Sequence, residues 1–276
     1  VHLEIVLPDE SPDQTPDLLV DLARTADQAG FAGLYLPDHV LPPGEYGTAS
    51  GFGGVYEALI TLGHLAAVTR RIRLGTSVLV LPLRNPFVVA KQVATIDRLS
   101  GGRVVLGVGA GWSEQEYAAV GVPFGERGAR LDEGIDLLRA LWRGETTFTG
   151  QRFGFEYGVF EPKPGRAIPI MVGGLSRRAF RRVAERADEW QGLGHTPETF
   201  ARDAELIKEL TDQPLRLSTR IQWEQQSVAE IVETAHGFAE AGTDALAIWL
   251  GDQDQARARL DDLAGQPELR PFLTAD

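Results

Sequence analysis

Arg73-Leu-Gly-Thr-Ser-Val-Leu-Val-Leu-Pro-Leu-Arg-Asn-Pro86 opens as an apolar strand, passes through three small residues and hands over to a helix at Asn85-Pro86. Gly75 permits close backbone approach, and Ser77 places a hydroxyl at the same corner. Asn85 supplies a capping side chain, and Pro86 suits the first helical position. The same strand-then-helix pattern repeats on both sides of this segment. Aliphatic runs fall at His2–Leu7, Gly33–Leu36, Ile72–Val80, Val104–Val108, Ile168–Val172, Glu189–Gly192, Leu215–Trp223 and Asp244–Leu250. Helical period follows each, as in Leu18, Leu22, Ala26 and Ala29, or Val89, Val93, Ile96 and Leu99. Thr15-Pro16 and Thr196-Pro197 sign two more helix starts, while Ser113 with Glu116 and Ser227 with Glu230 have capping-box spacing. Gly30 and Gly242 mark two helix ends.

Eight such units with continuous apolar strands predict a parallel sheet closed on itself, the (β/α)8 or TIM barrel of the α/β class. An open doubly wound sheet would use fewer strands. The interval from Val104 to Ile168 is too long for one helix and predicts an insertion between strands 4 and 5. It reads as a loop at Gly121–Gly128, a helix at Arg130–Arg143 and a turn-rich stretch at Gly144–Gly165. No linker or low-complexity tract interrupts the chain, so residues 1–276 are expected to form one domain.

Composition narrows the chemistry. The net charge of −12 makes nucleic acid and anionic membrane poor general partners. The absence of cysteine removes disulfides, thiol catalysis and cysteine metal sites. His2, His39, His64, His195 and His236 show no H-x-H or H-E-x-x-H spacing, so no metal centre is expected. Lys91, Lys163 and Lys208 read as helix or loop, which argues against a Schiff-base lysine. No charged apolar leader precedes the first strand, and no apolar run nears the ~18 residues of a spanning helix. A cytoplasmic protein is the expectation.

In a parallel barrel the reactive groups gather where strands end, which directs attention to five corners. Pro37-Asp38-His39 follows the second strand. An imidazole titrates near neutrality, and a nearby carboxylate can orient it, so this pair is the candidate for proton handling; a loop-capping role is the plainer alternative. Gly173-Gly174-Leu-Ser176 precedes a helix bearing Arg177, Arg178, Arg181 and Arg182 in its first turns. Cations oppose the dipole at a helix start unless an anion is present, and free amides after paired glycines suit a phosphate. Pairing of those arginines with Glu185 or Asp188 is the competing reading. Gly107–Gly111 lacks the last glycine of a dinucleotide fingerprint, and Trp112, which follows it, offers a wall for a planar ring.

Several segments together resemble the luciferase-like monooxygenase superfamily, in particular its branch dependent on the deazaflavin coenzyme F420. They are Leu36-Pro-Asp-His39, Leu74-Gly-Thr-Ser-Val78, Leu99-Ser-Gly-Gly-Arg103, Leu106-Gly-Val-Gly-Ala-Gly-Trp112, Arg127-Gly-Ala-Arg-Leu-Asp-Glu133 and Pro169-Ile-Met-Val-Gly-Gly174. The resemblance implies a barrel that binds F420, or alternatively FMN, at the strand ends, acts on a small organic substrate and forms a homodimer. It implies that Asp38 contacts the ring and His39 handles protons beside it. It further implies a non-prolyl cis peptide at Ser77-Val78 supporting one ring face, with Val80 beside it and the backbone of Val108 and Gly109 along the cofactor. Ser113 stands where sugar-phosphate-oxidising relatives have asparagine, and Gly173, Gly174, Ser176 and Arg177 match the phosphate turn. Those relatives carry a catalytic glutamate at the position of Ala110 and lysines for the sugar phosphate, so a sugar phosphate substrate is not expected here. An F420-dependent hydride transfer is the reading, with the barrel mouth walled by Trp112, Phe52, Tyr56 and Trp223 and suited to a fairly apolar molecule. An FMNH2-dependent monooxygenase and a non-catalytic flavin-binding protein are the alternatives.

Overall fold

The computed structural model describes residues 1–8, 15–41 and 56–273. In chain order its strands are β1 (His2–Val6), β2 (Gly33–Leu36), β3 (Arg73–Thr76), β4 (Leu79–Val80), β5 (Val104–Gly109), β6 (Phe148–Thr149), β7 (Gly154–Phe155), β8 (Ile170–Gly173), β9 (Glu189–Leu193), β10 (Arg216–Gln222) and β11 (Ala245–Trp249). The helices are α1 (Pro16–Ala29), α2 (Ala58–Val68), α3 (Pro86–Ser100), α4 (Glu114–Ala119), α5 (Arg127–Arg143), α6 (Arg177–Arg186), α7 (Pro197–Lys208), α8 (Val228–Glu240) and α9 (Gln253–Gly265).

Parallel pairing runs from β1 through β2, β3, β5, β8, β9, β10 and β11, and β11 returns to β1, closing an eight-stranded barrel. The segment read as one strand from Ile72 to Val80 is two pieces. β3 pairs with β2, whereas β4 pairs only with β5, at Leu79–Val108 and Val80–Gly109. Ser77-Val78 lies between them, and its peptide bond is cis. Between β5 and β8 run α4, α5 and the antiparallel pair of β6 with β7. Helix α5 begins at Arg127, ahead of the expected Arg130, because a 3-10 turn at Phe124–Glu126 leads straight into it.

Capping chemistry sets most helix starts. Thr15 accepts from the Leu18 amide, Asn85 from Phe87 and Val88, and Ser227 exchanges bonds reciprocally with Glu230. Helix α8 stops at Glu240 and is capped by Ala241, one residue before the glycine that the sequence nominated. In α3 the buried stripe follows Val89, Val93, Ile96 and Ser100, so Leu99 falls off the inward face and is 70% exposed.

The barrel interior is layered. At the amino ends of the strands, Arg216 reaches Glu4 at 2.8 Å and Glu189 at 3.2 Å. Arg73 pairs with the same two carboxylates, and the Tyr35 hydroxyl donates to Glu4 at 3.3 Å. Burial, followed by the field of Glu4, pushes the Tyr35 phenol far above its usual value, so it stays protonated as a donor. Above this ionic floor sit Val6, Tyr35, Val105, Met171 and Ala247, with Val78 and Trp249 packed against them. These two layers fill one end, and the open space lies at the other.

Candidate active site

A cavity of about 680 Å³ opens at the carboxyl ends of the strands. Asp38, His39, Ser77, Val78, Val80, Gly109, Gly173, Gly174 and Ser176 all line it, together with Trp112. Val78 forms a ridge on one wall. A Cβ on Gly109 would stand 2.7 Å from a Val78 methyl, and one on Gly173 would stand 3.0 Å from the other. Both glycines are therefore needed to let the valine side chain sit between β5 and β8, leaving a smooth apolar shelf.

The turn after β8 is shaped by Gly174, whose φ of 130° lies where side chains are strained. Trp190 donates from its indole nitrogen to the Gly174 carbonyl at 3.0 Å and so pins the turn. Ser176 caps α6 by accepting from the Ala179 amide at 3.1 Å. Its oxygen accepts that amide while its O–H stays able to donate, beside the early amides of the helix, which suit an anion. The arginines of α6 divide. Arg182 lines the cavity and pairs with Asp132, and Arg186 pairs with Asp136 and Glu185. Arg178 and Arg181 line a smaller adjoining cavity of about 400 Å³. Arg177 lines neither, because it projects from the exposed side of the first turn.

The two residues of the Asp38-His39 pair do different work. Asp38 is buried and grips Arg84 with both oxygens, at 2.7 and 2.6 Å, while also accepting from the Val80 amide at 2.8 Å. Burial holds its carboxyl above the ordinary value, outweighing the opposing pull of Arg84 and the Val80 amide. It is a strut between the corner after β2 and the start of β4, and it also lines the cavity. The carboxylate on His39 is Glu116, whose Oε2 lies 3.2 Å from Nδ1. The other oxygen of Glu116 accepts from the amides of Val40 and Leu41. The contact of Nδ1 with Glu116 orients the imidazole on the cavity wall, where a ring that titrates near neutrality can exchange a proton. The Trp112 ring meets His39 edge-on, with centroids 5.7 Å apart.

Sequence reasoning placed Ser113 and Val108 along the ligand, and the structure does not bring them to the cavity. Ser113 is spent as the cap of α4, accepting from the Glu116 amide at 3.1 Å. Val108 points outward into the core between barrel and helices, as strand alternation requires when Gly107 and Gly109 face inward. Of the proposed aromatic walls, Trp112 alone among the described residues lines the cavity. Trp223 is buried and donates to the Gln226 carbonyl at 2.7 Å, Tyr56 is not among the lining residues, and Phe52 falls outside the described residues. The residues that sequence reasoning missed are Glu116, Gln191, Arg220 and Gln222. Glu116 had a signal, since its spacing from Ser113 was noticed, but the expected return bond to the cap is replaced by the contact with His39.

Burial by itself would raise the Glu116 carboxyl, but the bonds from His39, Leu41 and Val40 outweigh it and hold the group below its ordinary value. A carboxyl depressed in the folded state contributes stability above its unfolded titration, and that contribution disappears as pH falls through the folded value. Glu116→Gln should therefore cost about 1.5–3 kcal/mol at neutral pH. The deficit against wild type should shrink as the pH is lowered from neutrality to below the ordinary carboxylate range. Thermal melts of both proteins across that range check this, and a constant gap would contradict it.

The closed parallel barrel gathers a glycine-framed shelf, the start of α6 and a carboxylate-held imidazole around the cavity at its strand ends, the rim where barrels of this class carry their sites. The chain matches the luciferase-like monooxygenase family over residues 4–216 and belongs to that family. It is 35% identical over 206 residues to an uncharacterised protein of Mycobacterium tuberculosis, covering 70% of this chain and 71% of the relative. It is 36% identical over 182 residues to an F420-dependent glucose-6-phosphate dehydrogenase of Nakamurella multipartita, covering 63% of this chain and 51% of that enzyme. Among solved structures, an F420-dependent secondary alcohol dehydrogenase in complex with an F420–acetone adduct superposes with a TM-score of 0.83 at 16% identity, covering 98% of this chain and 99% of that one. The oxygenating constituent of 3,6-diketocamphane monooxygenase of Pseudomonas putida, a type II Baeyer–Villiger enzyme in complex with FMN, superposes with a TM-score of 0.79 at 15% identity over 99% of each chain.

Proposed function

We propose that this protein is an oxidoreductase that transfers a hydride between the deazaflavin F420 and a small organic substrate. The observation that carries the reading is the Val78 shelf, framed by Gly109 and Gly173 and flanked at one end by the amides opening α6 and at the other by His39. A long ligand with a flat apolar part and a phosphate matches that layout. Ser77, Val78, Val80 and Gly109 would support the ring, and Gly173, Gly174 and the first amides of α6 the phosphate. When bound, the deazaflavin would supply a carbon that gives or accepts hydride. The chain's own part is positional and protolytic. Val78 fixes the plane on which the ring rests, Asp38 and Arg84 brace the neighbouring corner, and the His39 imidazole takes or returns the substrate's proton while Glu116 holds it in place. Ala110 leaves no carboxylate at that point of the rim, in keeping with an uncharged organic substrate.

Relatives named for F420 favour that cofactor, and the FMN-bound neighbour supports the second reading of FMN on the same shelf. Fluorescence titration of the purified protein with each cofactor decides between them. Saturable quenching with F420 and at least about tenfold weaker binding of FMN is the expected result. FMN binding without F420 binding would overturn the preference.

A further inference from the structure

Beneath the Val78 shelf lies a set of donors that neither the phosphate turn nor the His39 corner employs. Gln191, on β9, lines the cavity and is 4% exposed. Its Oε1 accepts the Ser77 hydroxyl, whereas its Nε2 has no hydrogen-bond partner among the described residues. A buried amide nitrogen without an acceptor is costly, and exchanging the two ends of the side chain would still leave one terminal atom unmatched. On the neighbouring strand β10, Arg220 and Gln222 sit two residues apart and line the same cavity. Arg220 donates to the Ser77 carbonyl at 3.2 Å, which holds its guanidinium against the very residue that Gln191 touches. Gly173, the last residue of β8, is the register partner of Gln191, so these donors share a level with the start of the phosphate turn.

A neutral donor beside a cation, at the inner end of an apolar shelf, suits carbonyl oxygens that carry partial or full negative charge. We propose that Gln191 and Arg220 form a subsite for the oxo edge of the bound heterocycle, the conjugated carbonyl–nitrogen end of a flavin or deazaflavin ring. Gln191 donates to an oxo group, and the Arg220 charge favours the reduced state, in which that edge holds more negative charge. This rests on the deazaflavin or flavin reading above. The same chemistry in a substrate carbonyl or carboxylate is the rival source.

The test uses the full chain with Gln191→Leu, Gln191→Glu, Arg220→Met and Arg220→Lys, each checked for wild-type circular dichroism. The probes are riboflavin and 5-deazariboflavin, which carry the ring without a phosphate, and inorganic phosphate as competitor against F420 or FMN. Gln191→Leu and Arg220→Met are expected to weaken the ring probes about tenfold or more, with Gln191→Glu at least as damaging and Arg220→Lys partly restoring affinity. Phosphate competition should stay within about twofold of wild type. The midpoint potential of bound cofactor should become more negative in Arg220→Met than in Arg220→Lys. Unchanged ring affinity in the folded Gln191→Leu and Gln191→Glu variants, with unchanged ring affinity and potential in the folded Arg220→Met variant, would overturn the proposal. So would a raised substrate KM with unchanged ring affinity, which would give these donors to the substrate. Failure of the wild type to bind any ring probe or cofactor would instead remove the underlying reading, and that outcome is visible before any variant is made.

Discussion

Replacing His39 with alanine should lower turnover by about 10²–10⁴-fold, the range expected when a positioned proton donor or acceptor is removed. The expectation follows from three contacts. Glu116 fixes the ring through Nδ1, Trp112 bounds its edge, and the imidazole lines the cavity. The change removes a side chain at the rim and leaves the Val78 shelf and the α6 turn in place, so cofactor affinity should move by less than about threefold. Rates are read from the cofactor absorbance change with a substrate that the wild type turns over, and affinity from fluorescence quenching. Wild-type turnover in the variant would remove His39 from the chemistry. A large loss of cofactor affinity with little change in rate would reassign it to binding.

Gly107→Ala should be the most destabilising single methyl in the protein's barrel wall. A Cβ there would lie 1.9 Å from the Thr76 carbonyl oxygen and 2.7 Å from the end of Met171. Met171 can turn aside, but the carbonyl belongs to β3, and the Thr76 hydroxyl in turn donates to the Gly107 carbonyl at 2.6 Å. Relief therefore requires β3 and β5 to part directly below Ser77. About 3 kcal/mol or more should be lost. For a chain of this size that is a fall of about 6–12 °C in Tm. Gly63→Ala provides the contrast. That glycine is inside α2, where the nearest neighbour of a Cβ is Ile96 at 3.9 Å, and a gain of about 0.5–1 kcal/mol is expected. Scanning calorimetry on the two variants tests both directions, and equal melting temperatures would refute the close-approach argument.

The barrel was legible because its information is local: apolar runs of strand length, proline-marked helix starts and capping side chains each occupy a few neighbouring residues. Where contacts are long-range the reading thinned. Glu116 and His39 lie 77 residues apart, and the short-range capping signal at Ser113 concealed what the glutamate reaches. Gln191 and Arg220 stand within strands, where alternation allows either face, and nothing local says that both converge on Ser77. Asp38 was visible as a strand-end carboxylate, yet its commitment to Arg84 depends on the path of the chain after β4. Leu99 was misplaced for a related reason. Helical spacing allowed two overlapping stripes, and packing chose the one ending at Ser100. Trp223 was likewise assigned to the rim by its position at a strand end, when its indole turns back to a carbonyl three residues on.

Among the described residues, the ionic floor of Glu4, Arg73, Glu189 and Arg216 stops the barrel at its amino end, below the cavity at the strand carboxyl ends. On the proposed reading, a ring seated against that stopper would have to enter before any molecule that binds above it and leave after it.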